Sequence, residues 1–500
     1  MMKVIATFDI GTTNVKGVLM DVDGTPLFHE SRGIDTFFRG KAKSFKEQDP
    51  RQWYQAFCEI SQLFFEFCSP KDVIGIILSG QMQDLILLDS NCEPVMDAIL
   101  YSDGRAQIEA EEIISAIGNE LIEQRTGNAF DGSRPLSKLK WVKKHKPAVY
   151  LKAAHVLVSS KDYVIARLTG GYFSDVVSCS TAGLMDIETK QWCSKWLQEL
   201  DLTKVQWPAI RYAHERAGFV LPAAAIETGY LEGTIVYAGS GDAGSATLAG
   251  GISQEGDFNI NLGTSGWVAC TNNQALRRRG VSNLAAMPEK TYINVVPFFN
   301  AGNVYRWVTD LLFEGSSPKD RYVKMDKLLS KSRPGSGGLL FLPYLAGERF
   351  PVMDADAAGC FVDVRSDTDK ADMARAALEG VAYSIRQGLE AIGKSPRKLS
   401  LVGGGAKSLV WCQILADMLR MSITVFTDAE FLPSMAIAAS VLIDQGYVRD
   451  YNDFVSDLQK RKDTVRFDPV EKASLLYDRH YARFCSIYRA VKSLSDVETE

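Results

Sequence analysis

Two short glycine hairpins, one near the start of each half, constrain this chain more than any other feature. The first reads Phe8-Asp9-Ile10-Gly11-Thr12-Thr13-Asn14 and the second Asn261-Leu262-Gly263-Thr264-Ser265-Gly266. Each lies between two runs of β-forming residues: 4–10 and 15–21 for the first, 258–262 and 267–271 for the second. A Gly-Thr-Thr or Gly-Thr-Ser tip turns the backbone sharply and aims N–H groups and hydroxyls at one spot, which is a way to hold phosphate. One such hairpin alone reads more readily as an ordinary turn. Two, at matching places, imply related lobes that grip one polyphosphate between them. The halves differ at one position, where the first has Asp9 and the second Asn261. A carboxylate repels phosphate unless a cation separates them, so Asp9 is the candidate for the Mg²⁺ side.

The chain has 500 residues, more than a single core sustains, so two large domains are expected. The boundary is expected after the loop at Asp242, giving domains 1–248 and 249–500. Net charge is −5 and no dense Lys/Arg block occurs, which argues against nucleic acid as a partner. The nine cysteines lack CxxC spacing, so reduced thiols in a cytoplasmic protein are expected, without a zinc site. Asp9 interrupts the short apolar N-terminal stretch, unlike a signal peptide. No apolar run is long enough to span a bilayer.

The pattern along the chain predicts an α/β fold. A meander opens it, with a turn at Asp23-Gly24 and a third strand from Pro26. A helix is expected after Asp49-Pro50, with Asp49 capping and Pro50 at its first position. The apolar run 73–79 reads as a central strand of a covered sheet. It ends in Gly80-Gln81-Met82-Gln83-Asp84, polar residues at the carboxyl end of a strand, where open α/β sheets bind ligands. A strand is expected at 98–102 and a charged, peripheral helical region after about Gly446.

Gln81, Met82, Gln83, Asp103 and Arg105 offer amide, carboxylate and guanidinium groups suited to a hydroxyl-rich ligand. Of the nearby aromatics, Tyr101 is read as core. Gly239-Ser240-Gly241-Asp242-Ala243-Gly244 matches a dinucleotide fingerprint, but no acid ends a following strand at the required spacing. Asp242 itself is more informative. An acid in a glycine-rich loop at a strand end can take a proton from an attacking hydroxyl, or merely cap the helix that follows. Gly403-Gly404-Gly405-Ala406-Lys407-Ser408 lacks P-loop spacing; it suits an adenine slot or a tight strand–helix turn.

Taken in order, these segments resemble the FGGY carbohydrate kinases, most closely the xylulokinase branch. The resemblance rests on Phe8–Thr13, Glu47-Gln48-Asp49-Pro50, Ser79-Gly80-Gln81-Met82, 98–105 through Asp103-Gly104-Arg105, Lys161-Asp162-Tyr163, 261–266, 341–351 through Gly347-Glu348-Arg349, and 403–408 with Trp411 and Gln413. It implies two actin/hexokinase-like, ribonuclease-H-like domains with ATP and a sugar in the cleft between them. It implies Mg²⁺-ATP phosphorylation of a terminal sugar hydroxyl, with Asp242 as catalytic base and substrate contact and Asp9 at the metal. It implies ATP contacts at Gly11, Thr12, Thr13, Lys16, Gly263, Thr264 and Ser265, with Gly404, Gly405 and Ser408 near adenine. The expected partner is a small-molecule sugar, most simply a ketopentose such as D-xylulose; a homodimer stays open. The chain departs from the branch on the sugar side. Gln83 stands where His is usual, Ala243 where Asn follows the catalytic Asp, and Tyr101-Ser102 where Trp-Asn precedes Asp-Gly-Arg. Another ketose, a polyol, a sugar acid, or a weakly catalytic nucleotide-binding regulator are the alternatives these departures leave.

Overall fold

The computed structural model describes residues 2–40, 44–426, 431–461 and 464–495. Its two main sheets repeat one plan. In the first, Pro26–Gly33, Asn14–Asp21 and Val4–Ile10 form an antiparallel meander, and Val73–Gly80 and Ile235–Tyr237 continue it in parallel. In the second, Tyr292–Phe298, Gly266–Asn272 and Asp257–Leu262 form the meander, and Lys398–Val402 and Ile423–Phe426 continue it. Each sheet gains further edge strands: Arg216–Phe219 in the first, Ser282–Ala285 and Thr464–Phe467 in the second. The first strand of each meander is central and covered on both faces. This explains why Val4–Ile10 is almost wholly apolar, with Asp9 its one residue not fully buried.

The helix Pro50–Phe64 shows how sequence drives the first layer. The Asp49 side chain accepts the Arg51 N–H and Pro50 opens the helix. Trp53, Phe57, Ile60 and Phe64, spaced four, three and four apart, then bury one face against the sheet. Phe57 and Phe64 both pack on Phe8, at 4.4 and 5.4 Å between ring centroids.

Each sheet has its own apolar core. A third core joins the lobes, with Ile5, Val18, Met20 and Ile77 on one side and Ala269, Leu284, Met435 and Ile437 on the other. A fourth fills a largely helical insertion between the parallel strands of the first sheet, around Leu85, Leu139, Val142 and Leu184.

Two expectations need correction. The strand expected at 98–102 is only Ala98–Ile99, because the Tyr101 N–H turns away to Asp84 Oδ1 at 2.9 Å. The region after Gly446 is not peripheral. Thr464–Phe467 pairs with Ile423–Phe426 as a sheet edge, and the helix Glu471–Ser495 buries Tyr477, whose hydroxyl donates to Glu379 at 2.7 Å. Its charged face hid the buried one.

Candidate active site

Both hairpin tips lie at the same corner of their sheets, where the first strand ends beside the first parallel strand. In the first, the Gly11 N–H closes the turn on Asn14 O at 3.0 Å. Thr12 is half-buried and Thr13 exposed. In the second, Thr264 and Ser265 are both exposed. The helix Gly302–Leu312 starts directly against this tip, with Gly302 N–H donating to Gly263 O at 2.8 Å and Asn303 N–H to Thr264 O at 3.0 Å. A Cβ at Gly302 would stand 2.4 Å from Gly263 O. Gly302→Ala is therefore expected to displace the tip and raise the ATP KM about tenfold, an overpacking cost of roughly 1–3 kcal/mol, with kcat less affected. Steady-state kinetics at varied ATP would check it.

The three-glycine turn abuts the same tip. Gly403 adopts φ +95°, and a Cβ there would lie 2.7 Å from the Leu262 carbonyl. Gly404 is exposed with nothing within 4 Å of its missing Cβ, so backbone is open there. Gly405 and Ser408 are buried, Gly405 against Leu262 and Trp411.

Asp9 ends the first meander strand half-buried. It accepts Ser79 Oγ at 2.8 Å and faces Lys16 across the hairpin register. Burial raises its pKa, against the Ser79 hydrogen bond and the charge of Lys16. Such a carboxylate suits a cation. Lys16 Nζ also lies 5.5 Å from the Phe431 ring centroid.

Asp242 is the first residue of the helix Asp242–Ala249. The strand pair Ser240–Gly241 before it lies beside Ser79 and Gly80, which in turn lie beside Asp9 and Ile10. Two strand spacings, about 10 Å, therefore separate Asp242 from Asp9. Water reaches its carboxylate from the cleft, yet protein surrounds it on the other sides. That desolvation, with the negative charges of Asp9 and Asp175, pushes its pKa up to about 7, while the Ala243 N–H pulls the other way. Gly241 is needed there, because a Cβ would lie 2.3 Å from Met82 Sδ.

The expected sugar-side set divides. Gln83, at φ +66°, is partly accessible; its Nε2 donates to Ser133 Oγ at 2.6 Å and its Oε1 receives Arg134 at 3.4 Å. Tyr101 is not core: it is 44% exposed and bears on Thr12. Gln81 is buried, receiving Thr12 Oγ1 at 2.8 Å and donating to Gln48 Oε1 at 2.9 Å. It holds the hairpin and has no free group for a sugar. Met82 is buried as well. Arg105 is closed off completely. Its guanidinium binds both oxygens of Asp103, at 2.9 and 2.6 Å, and Glu47 Oε1 at 2.7 Å, with its side chain 1% exposed. It also lies 3.8 Å from the Phe45 ring centroid. Asp103 and Arg105 thus form a buried ion cluster; the sequence offered charges without showing that they neutralise one another.

Sequence reasoning missed Ser133 and Arg134 as neighbours of Gln83, Ser79 as the support of Asp9, and Asp175, which accepts the Gly241 N–H at 3.1 Å. Only Ser79 and Lys161, a partner of Asp175, stood in a segment that carried a signal.

The N-terminal-domain model of the FGGY family of carbohydrate kinases matches residues 4–249, and the C-terminal-domain model matches residues 258–440. The chain belongs to this family. It is therefore a sugar kinase of the two-domain actin/hexokinase-like fold, on the xylulokinase-like branch. A xylulose kinase of Lactococcus lactis is 30% identical over 507 residues, spanning 99% of this chain and 98% of that one. The ligand-bound xylulose kinase from Lactobacillus acidophilus has the same fold, with a TM-score of 0.89, 25% identity, and coverage of 98% of this chain and 99% of that one. A gluconate kinase from the same organism fits as closely, with a TM-score of 0.88, 26% identity, and coverage of 98% of each chain. The FGGY scaffold around this cleft thus serves relatives named for a ketose and for a sugar acid.

Proposed function

We propose that this kinase transfers the γ-phosphoryl group of ATP to the terminal hydroxyl of a ketopentose, most simply D-xylulose. One observation carries the reading: Asp242, reachable from the cleft yet crowded by protein, stands two strands from Asp9 beneath the first hairpin. With a pKa near 7 it accepts a proton at neutral pH as the hydroxyl attacks. Thr264, Ser265, Thr13 and the hairpin N–H groups would stabilise the charge spreading over the transferred phosphoryl. Asp9, with Ser79 fixing its orientation, would hold Mg²⁺, which when bound neutralises phosphate oxygens. Gln83 and Tyr101 would line the sugar. Residues 1–248 would carry the sugar side and the first hairpin, and 249–500 the second hairpin and the adenine side.

A sugar acid is the second reading, and Arg349 favours it. Glu348 does not pair with the Arg349 side chain. It is buried and takes the N–H groups of Phe299 and Arg349 and the Asn300 side chain, while Arg349 is exposed. Arg349 lies over the Phe299 ring at 4.7 Å, within electrostatic reach of Asp131, Arg134, Glu348 and Tyr101. Two guanidinium groups this close together would suit an anionic ligand.

ADP release with Mg²⁺-ATP against ketopentoses, aldoses, polyols and sugar acids separates these readings. Turnover on D-xylulose alone is the expected result. Preference for a sugar acid, lost in Arg349→Gln, would replace the ketopentose; ATP binding without sugar-dependent turnover would overturn both.

A further inference from the structure

The buried segment Lys161-Asp162, with Asp175, supplies no reacting group to the chemistry above, although the Asp175 charge helps raise the Asp242 pKa. All three side chains are completely buried. Lys161 Nζ bridges Asp162 Oδ1 at 2.6 Å and Asp175 Oδ2 at 2.9 Å. Burial would lower the Lys161 pKa, but the two carboxylates reverse this and raise it, so the lysine stays charged. One buried cation facing two buried carboxylates is a costly arrangement unless every oxygen is hydrogen-bonded. Here nearly every partner is a backbone N–H. Asp162 Oδ2 receives those of Val158 and Ser159, at 3.3 and 3.1 Å. Asp175 Oδ1 receives Val177 at 2.9 Å, Ser178 at 3.1 Å and Gly241 at 3.1 Å. Asp175 Oδ2 also receives Ser178 Oγ at 2.6 Å.

The Gly241 bond is the unusual one. The other N–H groups are local to Asp162 or Asp175, whereas Gly241 lies 66 residues further on and immediately precedes Asp242. The strand before Asp242 is two residues long, paired with Ser79 and Gly80 and packed against Met82, and it follows Gly239 at φ +66°. The Gly241 cap carries no side chain, so the Asp175 carboxylate is the side-chain acceptor that meets its N–H.

We propose that Asp175, locked by Lys161, is a positioning residue that fixes the Gly241 backbone and so aims the Asp242 carboxylate at the substrate hydroxyl. This rests on the reading of Asp242 as the base. Lys161 supplies rigidity through charge and Asp175 supplies the acceptor. The two roles separate by substitution. Asp175→Asn keeps an oxygen for the Gly241 N–H but turns its amide NH₂ toward Lys161 Nζ, so it retains the acceptor and loses the charge lock, whereas Asp175→Ala removes both.

The test combines hydrogen–deuterium exchange with kinetics on the full chain. In Asp175→Ala, a peptide covering 239–249 is expected to exchange at least tenfold faster, while peptides covering 73–80 and 257–262 stay as in the wild type. With the best sugar from the substrate panel, kcat is expected to fall at least tenfold and KM for sugar and ATP to change less than threefold. Asp175→Asn, which keeps the acceptor without the charge lock, should fall between Asp175→Ala and the wild type in both. Wild-type exchange at 239–249 in folded Asp175→Ala, or equal loosening in Asp175→Asn, overturns the proposal. If Asp175→Ala does not fold, Lys161→Met replaces it: the same local loosening is expected, and wild-type exchange overturns the proposal. Asp242→Asn separates this from the underlying reading, since normal turnover there refutes the base without altering the exchange result.

Discussion

Asp242→Asn is expected to lower kcat by about 10²–10⁴, the usual worth of a positioned general base, while ATP affinity stays within a few-fold of the wild type. The side chain keeps its shape and its place at the helix start, so only proton acceptance is lost. The same substitution is expected to raise Tm. The native fold holds this carboxyl well above its ordinary range, to about 7, by desolvation and by repulsion from Asp9 and Asp175. A raised carboxyl pKa means that ionisation works against the fold, so the wild type loses stability as pH rises from about 4 to about 7. The Asn variant lacks that loss, and its advantage in Tm should be full at pH 8, smaller at pH 5 and nearly absent below about pH 4. At subsaturating sugar, kcat/KM of the wild type should rise through an acid limb near pH 7. A variant that turns over normally, or an acid limb near pH 4, would remove Asp242 from the chemistry.

Arg105→Met is expected to cost about 3–5 kcal/mol of stability, because it leaves the Asp103 carboxylate buried without its cation and Glu47 with only the half-exposed Arg39. That is a large share of the stability of a typical domain, so much of the protein should accumulate unfolded, and the folded part should melt far lower. Its sugar KM should nevertheless remain near the wild-type value, since the guanidinium has no face open to the cleft. Thermal melts and steady-state kinetics on the folded fraction would check both halves. A normal Tm with a sharply raised sugar KM would return Arg105 to the substrate.

The contrast between these two residues marks the limit of what the sequence shows. Asp242 and Arg105 both sit in polar loops that follow apolar strands, and locally both look like ligand groups. Asp242 lies beside acids and a single N–H, so its charge stays unbalanced and it faces the cleft. Arg105 finds Asp103 two residues away and Glu47 from a distant strand, and all three are buried together. Gln81 shows the same effect: its amide faces Thr12 and Gln48, partners 69 and 33 residues away. Tyr101 errs in the other direction. An aromatic beside apolar residues suggests core, yet the Asp84 carboxylate turns its backbone outward.

The sequence by itself determined the elements and their duplication. Apolar period, glycine position and helix caps act over a few residues, so the meanders, the two hairpins and the capped helix after Asp49 are all legible there, and the ordered motifs carry the family. Only the tertiary structure decided which polar groups are free. Pairing is a property of space: whether a carboxylate meets a cation, a backbone N–H or the open cleft depends on chain segments tens to hundreds of residues apart. Asp175 beneath Gly241, the closed cluster around Arg105 and the seat of Arg349 over the Phe299 ring could emerge only once the two sheets had brought those segments together.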